Sequence, residues 1–375
     1  MRRILGFKLT IRLFTACAVI GMAGIAGTGC KKTPTHYVYE GKPVSIDSFT
    51  QRVTTLATIP GSDERIAIGF ADSVFGVWDI QARKMVKEFN LHSHIINDLS
   101  VSTDGKLAAA ASADKMFTLS EIETGKLVDS AYMISGPAMT LDMTTDMAYL
   151  AVGYGDGAIH IWNLDKHRRD AKFTEHDGVI TKIRFRPGSH LMYSTAQDSF
   201  LYITNVEGGD SSSRMKQMYG FHTAIAFSPD GTFCATGGTD KLVKLWKVFP
   251  TDGNDSLSSL GWYQSDMDRI RDLAFSPDGA LLVAVDHSGQ VIFFELYDAS
   301  DEPEKQNRFI AAGALGIILN ELGRFRAHPG SIRTCSFSNN GRMLFTAGDD
   351  MTLKTWDVED ILTQFEKKKT EFEKR

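Results

Sequence analysis

Cysteine is scarce in this chain of 375 residues, and only Cys234 and Cys335 follow Cys30. Both lie in apolar strand patterns roughly one hundred residues apart, so we expect buried free thiols, because this spacing gives no support to a disulfide or a metal pair. The sequence also lacks a grouping of histidine, cysteine and acidic residues at metal-ligand spacing, and a glycine-rich loop between a strand and a helix. We therefore expect no metal, nucleotide or other cofactor.

Positive charge is in short supply beyond the N-terminus. Residues 1–29 carry four basic residues and no acid, which leaves 37 basic against 46 acidic residues, a formal charge of −9, for the rest of the chain. Non-specific nucleic-acid binding depends on neutralising phosphates with basic side chains. We therefore exclude nucleic acid as a partner and expect protein partners.

The first 29 residues have the charge and hydropathy order of an export signal. Positive charges precede an uncharged run from Leu13 to Cys30, and small residues stand just before Cys30. This order resembles the signal of bacterial lipoproteins, in which the cysteine carries the lipid, although Gly27 stands where that family usually has leucine. An uncleaved membrane anchor is the alternative, because eighteen uncharged residues nearly span a bilayer. Both interpretations attach the chain to a membrane outside the cytoplasm.

Internal repetition predicts the architecture. Apolar residues that end one strand pattern recur at spacings of 42, 42, 42, 42, 48 and 62 residues, at Ile59, Val101, Met143, Phe185, Phe227, Phe275 and Phe337. Nineteen residues after each of them a further strand ends, at Trp78, Ser120, Trp162, Thr204, Trp246, Phe294 and Trp356. Six residues before these ends stand Asp72, Asp114, Asp156, Asp198, Asp240, Ser288 and Asp350. Short strands at this regular spacing predict an all-β protein with seven units.

The dipeptides Trp78-Asp79 and Trp356-Asp357, together with Ser-Pro-Asp-Gly turns at 228–231 and 276–279, resemble the WD-repeat family. The resemblance implies a seven-bladed β-propeller of four-stranded blades over residues 36–358. Tyr37–Tyr39 or Val44–Ile46 is extended and alternating, and we expect one of them to supply the outer strand of the last blade and so close the ring. Residues 30–35 are then a short lipid tether, and residues 359–375 are predicted to form an amphipathic helix.

The resemblance gives a structural role to three His–Asp pairs, each 22 residues apart. In WD-repeat proteins the histidine before the first strand binds the aspartate after the second, and the pair braces the blade. These pairs are His92 with Asp114, His176 with Asp198, and His328 with Asp350. A catalytic arrangement that includes Ser112 is the alternative. We expect no unit to hold the full set of His, Ser or Thr, Asp and Trp, because the second unit ends in Ser120 and the seventh has Gly348 at the hydroxyl position.

Family geometry also puts the loop before each first strand and the second turn of each unit on one face of the disc, where WD-repeat proteins most often hold partners. The candidate partner contacts on that face are Phe221, Arg269, Arg271, His287, Arg333 and Asp349. Three neighbouring arginines on an acidic body suit a partner that carries carboxylates or phosphates, and a merely solvated rim is the alternative. The opposite face carries insertions near 250–255 and 298–318, and the second of these either packs beneath the disc or forms a contact.

These observations predict a monomeric propeller that acts as a non-enzymatic protein-interaction scaffold. We expect it to be held by lipid at Cys30 in a bacterial envelope, in the outer membrane facing the periplasm. A propeller enzyme of the lactone-hydrolase or quinone-cofactor type is the first alternative, and an envelope assembly factor is the second. An enzyme would need metal-binding or polar groups in the central channel, whereas we expect channel positions to be apolar, serine or threonine.

Overall fold

The computed structural model describes residues 37–134, 136–207, 212–216, 220–251, 254–264, 267–298 and 317–374. The predicted export segment, the tether with Cys30 and residues 299–316 of the second insertion lie outside the described residues. Over the described part of the chain, strand patterns separated by turn residues form seven antiparallel sheets of four strands each. The predicted seven-bladed propeller is confirmed.

The blades are numbered in chain order, and the strands of each blade run from the innermost to the outermost. Blade 1 contains β2 (Val53–Thr58), β3 (Arg65–Phe70), β4 (Phe75–Asp79) and β5 (Lys84–Phe89). Blade 2 contains β6 (Ile96–Val101), β7 (Leu107–Ser112), β8 (Met116–Glu121) and β9 (Leu127–Tyr132). Blade 3 contains β10 (Ala138–Met143), β11 (Tyr149–Tyr154), β12 (Ile159–Asn163) and β13 (Arg168–Phe173). Blade 4 contains β14 (Ile180–Phe185), β15 (Leu191–Ala196), β16 (Phe200–Asn205) and β17 (Ser212–Lys216).

The last three blades follow the same order. Blade 5 contains β18 (His222–Phe227), β19 (Phe233–Gly238), β20 (Leu242–Thr251) and β21 (Asn254–Gln264). Blade 6 contains β22 (Ile270–Phe275), β23 (Leu281–Asp286), β24 (Gln290–Asp298) and β25 (Ile317–Arg326). Blade 7 contains β26 (Ile332–Phe337), β27 (Met343–Gly348), β28 (Thr352–Asp357) and β1 (Ser45–Ser48).

The N-terminal segment closes the ring. Strand β1 pairs antiparallel with β28, with Ser45 opposite Thr355, so the second of the two predicted segments forms the outer strand of blade 7. The first segment has a different partner, because Val38 forms a parallel bridge with Arg324 at the outer edge of blade 6. The N–H of Tyr39 donates to the carbonyl of Arg324 at 3.0 Å. The chain therefore covers one sheet edge before it completes the next blade.

The hydrophobic core lies between blades, where neighbouring sheets pack face to face. Phe75 and Val77 of blade 1, for example, are buried against Ile96 and Leu99 of blade 2. A single blade buries its apolar faces only against its neighbours, which is why the architecture needs a closed set of repeats. The two described cysteines lie in this core as free, buried thiols, and burial raises the pKa of each.

Turns of the Ser-Pro-Asp-Gly type link first to second strands for a local reason. In the turn after β18, the hydroxyl of Ser228 accepts the N–H of Phe233 at 2.9 Å, and Asp230 accepts the N–H of Thr232 at 3.0 Å. Gly231 has φ +67°, a left-handed conformation that glycine adopts without steric cost. The side chains thus satisfy backbone donors that have no strand partner.

Two further elements pack on the disc. Helix α1 (Val358–Glu373) is capped by Asp357 and buries Val358, Ile361 and Phe365. The first insertion lengthens β20 and β21, and its Asp255 accepts the hydroxyl of Tyr193 in blade 4 at 2.7 Å. No helix among the described residues is both long enough and apolar enough to cross a membrane.

Candidate functional site

The central channel is lined by the innermost strand of each blade. Each of these strands shifts its register at a β-bulge, and two consecutive residues can therefore face the channel. Five such pairs line one cavity of about 350 Å³, namely Thr54-Thr55, Asn97-Asp98, Thr181-Lys182, Arg271-Asp272 and Arg333-Thr334. We call this cavity, which also includes Arg52, Gln197 and Phe221, the mouth pocket.

The expectation of an apolar, serine or threonine channel is wrong. Strict strand alternation assigns only one residue of each pair to the channel, and Arg271 and Arg333 were expected on the face of the disc rather than in the channel. The bulges turn both arginines into the cavity. The charged lining was therefore missed, although the neighbouring charges Asp98 and Lys182 stand at equivalent positions of their repeats and could have indicated it.

An ion pair crosses the base of the mouth pocket. The ammonium group of Lys182 donates to both carboxylate oxygens of Asp98 at 3.2 Å, and the hydroxyl of Thr140 donates to the same carboxylate at 2.7 Å. Burial raises the pKa of Asp98, but Lys182 and then Arg184 lower it by more, and the pKa lies below its ordinary value. Asp98 is therefore ionised, and the pair links blades 2 and 4 across the channel.

Three guanidinium groups line the mouth pocket, and the carboxylate of Asp349 lies at its edge. Arg333 donates from Nε to Oδ1 of Asp349 at 2.7 Å, whereas Nε of Arg52 is 3.6 Å from the same oxygen. Nε of Arg271 is buried and has no hydrogen-bond partner among the described residues. Burial, followed by repulsion from Arg333, lowers the pKa of Arg271. The positive charge of the wall is thus only partly compensated.

The predicted partner contacts fall into two groups. Phe221, Arg271 and Arg333 line the mouth pocket, and Asp349 pairs with Arg333 at its edge. Arg269 and His287 are exposed outside the lining and are joined through their backbones, because the N–H of His287 donates to the carbonyl of Arg269 at 3.0 Å. Arg52, Asn97, Lys182 and Gln197 also line the pocket and were not predicted.

The three predicted His–Asp pairs are hydrogen-bonded. The Nδ1–carboxylate distances are 2.9 Å for His92 and Asp114, 2.8 Å for His176 and Asp198, and 2.9 Å for His328 and Asp350. Nε2 of each ring contacts a hydroxyl, that of Thr118 at 2.9 Å, Ser194 at 3.0 Å and Thr346 at 2.8 Å. The catalytic alternative fails on geometry, because the hydroxyl of Ser112 donates to the carbonyl of His94 instead, at 3.0 Å.

One expectation about these pairs is wrong, because blade 7 holds the full set. Nε1 of Trp356 donates to the hydroxyl of Thr346 at 2.9 Å, and Thr346 contacts His328, which contacts Asp350. The expectation placed the hydroxyl at position 348, whereas it belongs to Thr346, two residues earlier in β27 and within reach of Trp356. Burial lowers the pKa of His328 despite Asp350, so the ring is neutral and donates from Nδ1 to the carboxylate.

Comparison with known proteins bears on these repeats directly. The family model described as WD domain, G-beta repeat matches residues 83–119, 218–247, 257–295 and 319–357. These four segments therefore match WD40 repeats. The matched segments lie in blades 1–2 and 5–7, and the structure shows that the intervening residues form blades of the same architecture.

Several WD-repeat proteins resemble this propeller over more than half of its length. Small ribosomal subunit protein RACK1 of Neurospora crassa is 25% identical, over 82% of this chain and 93% of its own. MST50-interacting protein 11 of Pyricularia oryzae has the same identity and coverage. A chicken protein, p21-activated protein kinase-interacting protein 1-like, is 24% identical over 56% of this chain and 61% of its own. Their names describe proteins that assemble with other proteins.

The expected location in a bacterial outer membrane is wrong. These relatives come from eukaryotes, and the first is by name a protein of the small ribosomal subunit rather than of a cell envelope. The order of charge and hydropathy in residues 1–29 is a short compositional signal, and the relatives give no support to a lipid anchor at Cys30. The comparison over most of the chain outweighs it.

Proposed function

We propose that this WD-repeat propeller is a non-enzymatic protein-interaction scaffold that binds its partner over the mouth pocket. The contacts are the six residues predicted from the sequence, Phe221, Arg269, Arg271, His287, Arg333 and Asp349. The observation that carries the proposal is Arg271, whose Nε is buried beside a second arginine and has no partner among the described residues. A partner that brings an anionic group supplies a counter-charge to this guanidinium group.

The composition of this face also supports a protein contact. Arginine and aromatic side chains contribute a large share of interface hot spots. Phe221 is partly buried in the mouth pocket, while Arg269 and His287 are exposed beside it. The same face therefore offers an anchor in a cavity with polar groups around it, which is the usual anatomy of an interface.

The proposed absence of catalysis has support from how the channel's charges are used. Lys182 and Asp98 pair with each other, and the three hydrogen-bonded histidines each have two partners. A metal assay of the purified protein tests this part of the proposal. Stoichiometric calcium or zinc would favour a propeller enzyme, and substoichiometric metal agrees with a scaffold.

Affinity capture from an extract of the source organism tests the partner surface. The test variant combines Arg269→Ala, Arg271→Ala and Arg333→Ala. The control variant combines Arg65→Ala, Arg168→Ala and Arg342→Ala, which remove the same charge from sites outside the mouth pocket. We expect the wild type and the control to recover the same partner proteins and the test variant to lose them. Equal recovery by all three proteins would contradict the proposed surface.

A further inference from the structure

We propose that the mouth pocket binds a phosphoryl group on a side chain of the partner, and that Asp349 is the resident counter-ion that limits its affinity. The inference rests on the proposed function, since it places the partner on this face. It goes further because it names the chemical group, adds Arg52 to the site, and gives Asp349 a role opposite to that of a contact residue.

The three guanidinium groups come from three blades that are neighbours in the ring. Arg52 precedes β2 of blade 1, Arg271 lies in β22 of blade 6, and Arg333 lies in β26 of blade 7. One carboxylate, that of Asp349, serves all three. It accepts a hydrogen bond only from Arg333, because Nε of Arg52 is 3.6 Å away and Nε of Arg271 has no acceptor in the described structure. At the level of the mouth, two positive charges are left without a counter-charge.

The deeper charges of the mouth pocket reduce this excess but do not remove it. Lys182 and Asp98 form an ion pair, so their charges compensate each other. Asp272 remains, and its carboxylate accepts the N–H groups of Cys335 at 3.1 Å and Leu273 at 3.0 Å. The complete set, including Asp349 at the edge, therefore holds four cations and three carboxylates, a surplus of one positive charge.

The geometry favours a phosphoryl group over a carboxylate. A phosphate monoester carries about −1.5 to −2 charges at pH 7 and three acceptor oxygens, enough for donors that approach from three blades. A planar carboxylate is satisfied by one guanidinium in bidentate geometry. Arg333 donates a single hydrogen bond to Asp349, Arg52 lies 3.6 Å from the same oxygen, and Nε of Arg271 has no partner among the described residues. One carboxylate therefore does not satisfy the three guanidinium groups.

The size and rigidity of the cavity indicate a side chain as the carrier. A volume of about 350 Å³ lies at the lower end of the roughly 300–1,000 Å³ typical of small-ligand pockets, and the Lys182–Asp98 pair closes the base. Two wall residues are fixed to neighbouring blades, because Asn97 donates to the carbonyl of Ala138 at 2.7 Å and Thr181 donates to that of His222 at 2.5 Å. The pocket is thus large enough for the phosphorylated end of a side chain whose backbone stays on the face of the disc.

Isothermal titration of the purified full chain with defined probes tests the proposal. The probes are inorganic phosphate and three acetylated, amidated pentapeptides that differ only in a central phosphoserine, glutamate or serine. The variants are Arg271→Gln, Asp349→Asn and, as a matched control for the loss of one positive charge, Arg168→Gln in outer strand β13.

We expect the phosphoserine peptide to bind at least tenfold more tightly than the glutamate and serine peptides, and more tightly than inorganic phosphate. Arg271→Gln should weaken binding about tenfold or more, Arg168→Gln less than twofold. Asp349→Asn should strengthen binding roughly three- to tenfold, because it removes the competing anion. A gain of affinity cannot arise from misfolding, so this variant tests the proposal even if Arg271→Gln is poorly folded.

Three results would overturn the inference. Equal affinity for the glutamate and phosphoserine peptides would contradict specificity for a phosphoryl group. Tighter binding of inorganic phosphate than of the phosphoserine peptide would contradict the claim that the phosphoryl group is carried by a side chain. Weaker binding by Asp349→Asn would make Asp349 a contact rather than a counter-ion. Because the titration contains no cellular partner, its failure is separate from failure of the scaffold proposal, which depends on capture by the arginine variants.

Discussion

Lys182 and Asp98 belong to blades 4 and 2, yet the ammonium nitrogen lies 3.2 Å from both oxygens of the carboxylate. Their side chains are 14% and 3% exposed, so the pair is shielded from water. It joins two innermost strands that share no sheet edge and forms the base of the mouth pocket. Replacing Lys182 leaves the buried Asp98 with only the longer ion pair to Arg184, at 3.6 Å, and breaking a buried pair costs more than the loss of a surface pair.

We predict that Lys182→Met lowers the free energy of unfolding by about 3–5 kcal/mol. The surface pair of Lys241 and Asp268, in which Lys241 is 53% exposed, is the matched control, and Lys241→Met should cost less than about 1 kcal/mol. Urea unfolding followed by fluorescence measures both. The double variant Lys182→Met with Asp98→Asn should regain most of the loss. A single variant as stable as the wild type would mean that the pair does not hold the blades together.

A second prediction concerns the hydroxyl that Trp356 and His328 share. Thr346→Val removes the partner of two buried groups and should cost about 2–4 kcal/mol. Blade 3 offers the reciprocal change, because Val152 stands ten residues before Trp162, as Thr346 does before Trp356, and Nε1 of Trp162 has no partner in the described structure. We expect Val152→Thr to raise stability by about 1 kcal/mol. Opposite signs in thermal melts are the predicted result, and destabilisation by both changes would contradict it.

Acid should destabilise the propeller. Burial lowers the pKa of His160 to about 4 and that of His222 to about 3, with nearby basic groups adding to both shifts, and burial also lowers the pKa values of the three histidines that bind aspartates. The unfolded chain therefore binds more protons than the fold below about pH 6.5, and stability falls as the pH decreases. His190, whose pKa is raised by its hydrogen bonds to Asp146 and Glu207 despite burial, opposes this trend, and so do Asp142 and Asp255, whose pKa values burial raises.

His160→Leu isolates one of these contributions. Neither ring nitrogen of His160 has a hydrogen-bond partner in the described structure, so the replacement breaks no hydrogen bond of the side chain. We expect the slope of unfolding free energy against pH to decrease by about 1.4 kcal/mol per pH unit between about pH 5 and 6. Urea unfolding at half-unit pH steps measures the slope. An unchanged slope would show that His160 is protonated in the fold.

Closure by β1 predicts a sharp difference between two truncations. Removal of residues 1–36 leaves every described contact in place, whereas removal of residues 1–48 also takes away β1 and exposes the edge of β28. The longer truncation should lower the melting temperature and cause association that increases with protein concentration. Thermal melts and analytical ultracentrifugation of both proteins provide the comparison. Identical behaviour would contradict the role of β1 in closing the ring.

The fold was predictable because the same strand and turn pattern repeats seven times along the sequence. The constant interval of nineteen residues to Trp78, Trp162 and their equivalents fixes two turns and two strands in every unit, and the outer strand of blade 7 follows from the unit that lacks one. The channel was less predictable, since the bulges turn Arg271 and Arg333 by a local change of register that alternation does not encode. The bridge between Val38 and Arg324 was not predictable, because it is a tertiary contact that does not recur from repeat to repeat.

The candidate site was predictable in part for the same reason. Equivalent positions in the repeats identified Arg271, Arg333 and Asp349 as neighbours on one face. Lys182 and Asp98, by contrast, meet across the axis, and the distance between blades that are not adjacent depends on the radius of the ring. That radius is a property of the closed assembly and of the packing between blades.

Site-directed photo-crosslinking tests most directly whether the partner lies over the mouth pocket. A photoreactive phenylalanine analogue replaces Phe221 in the mouth pocket in one protein and Phe249, which is 41% exposed on β20, in the other. After irradiation in a native extract and denaturing purification, the account predicts a covalent partner adduct from position 221 and none from position 249. Adducts with the same partner from position 249 alone would contradict it.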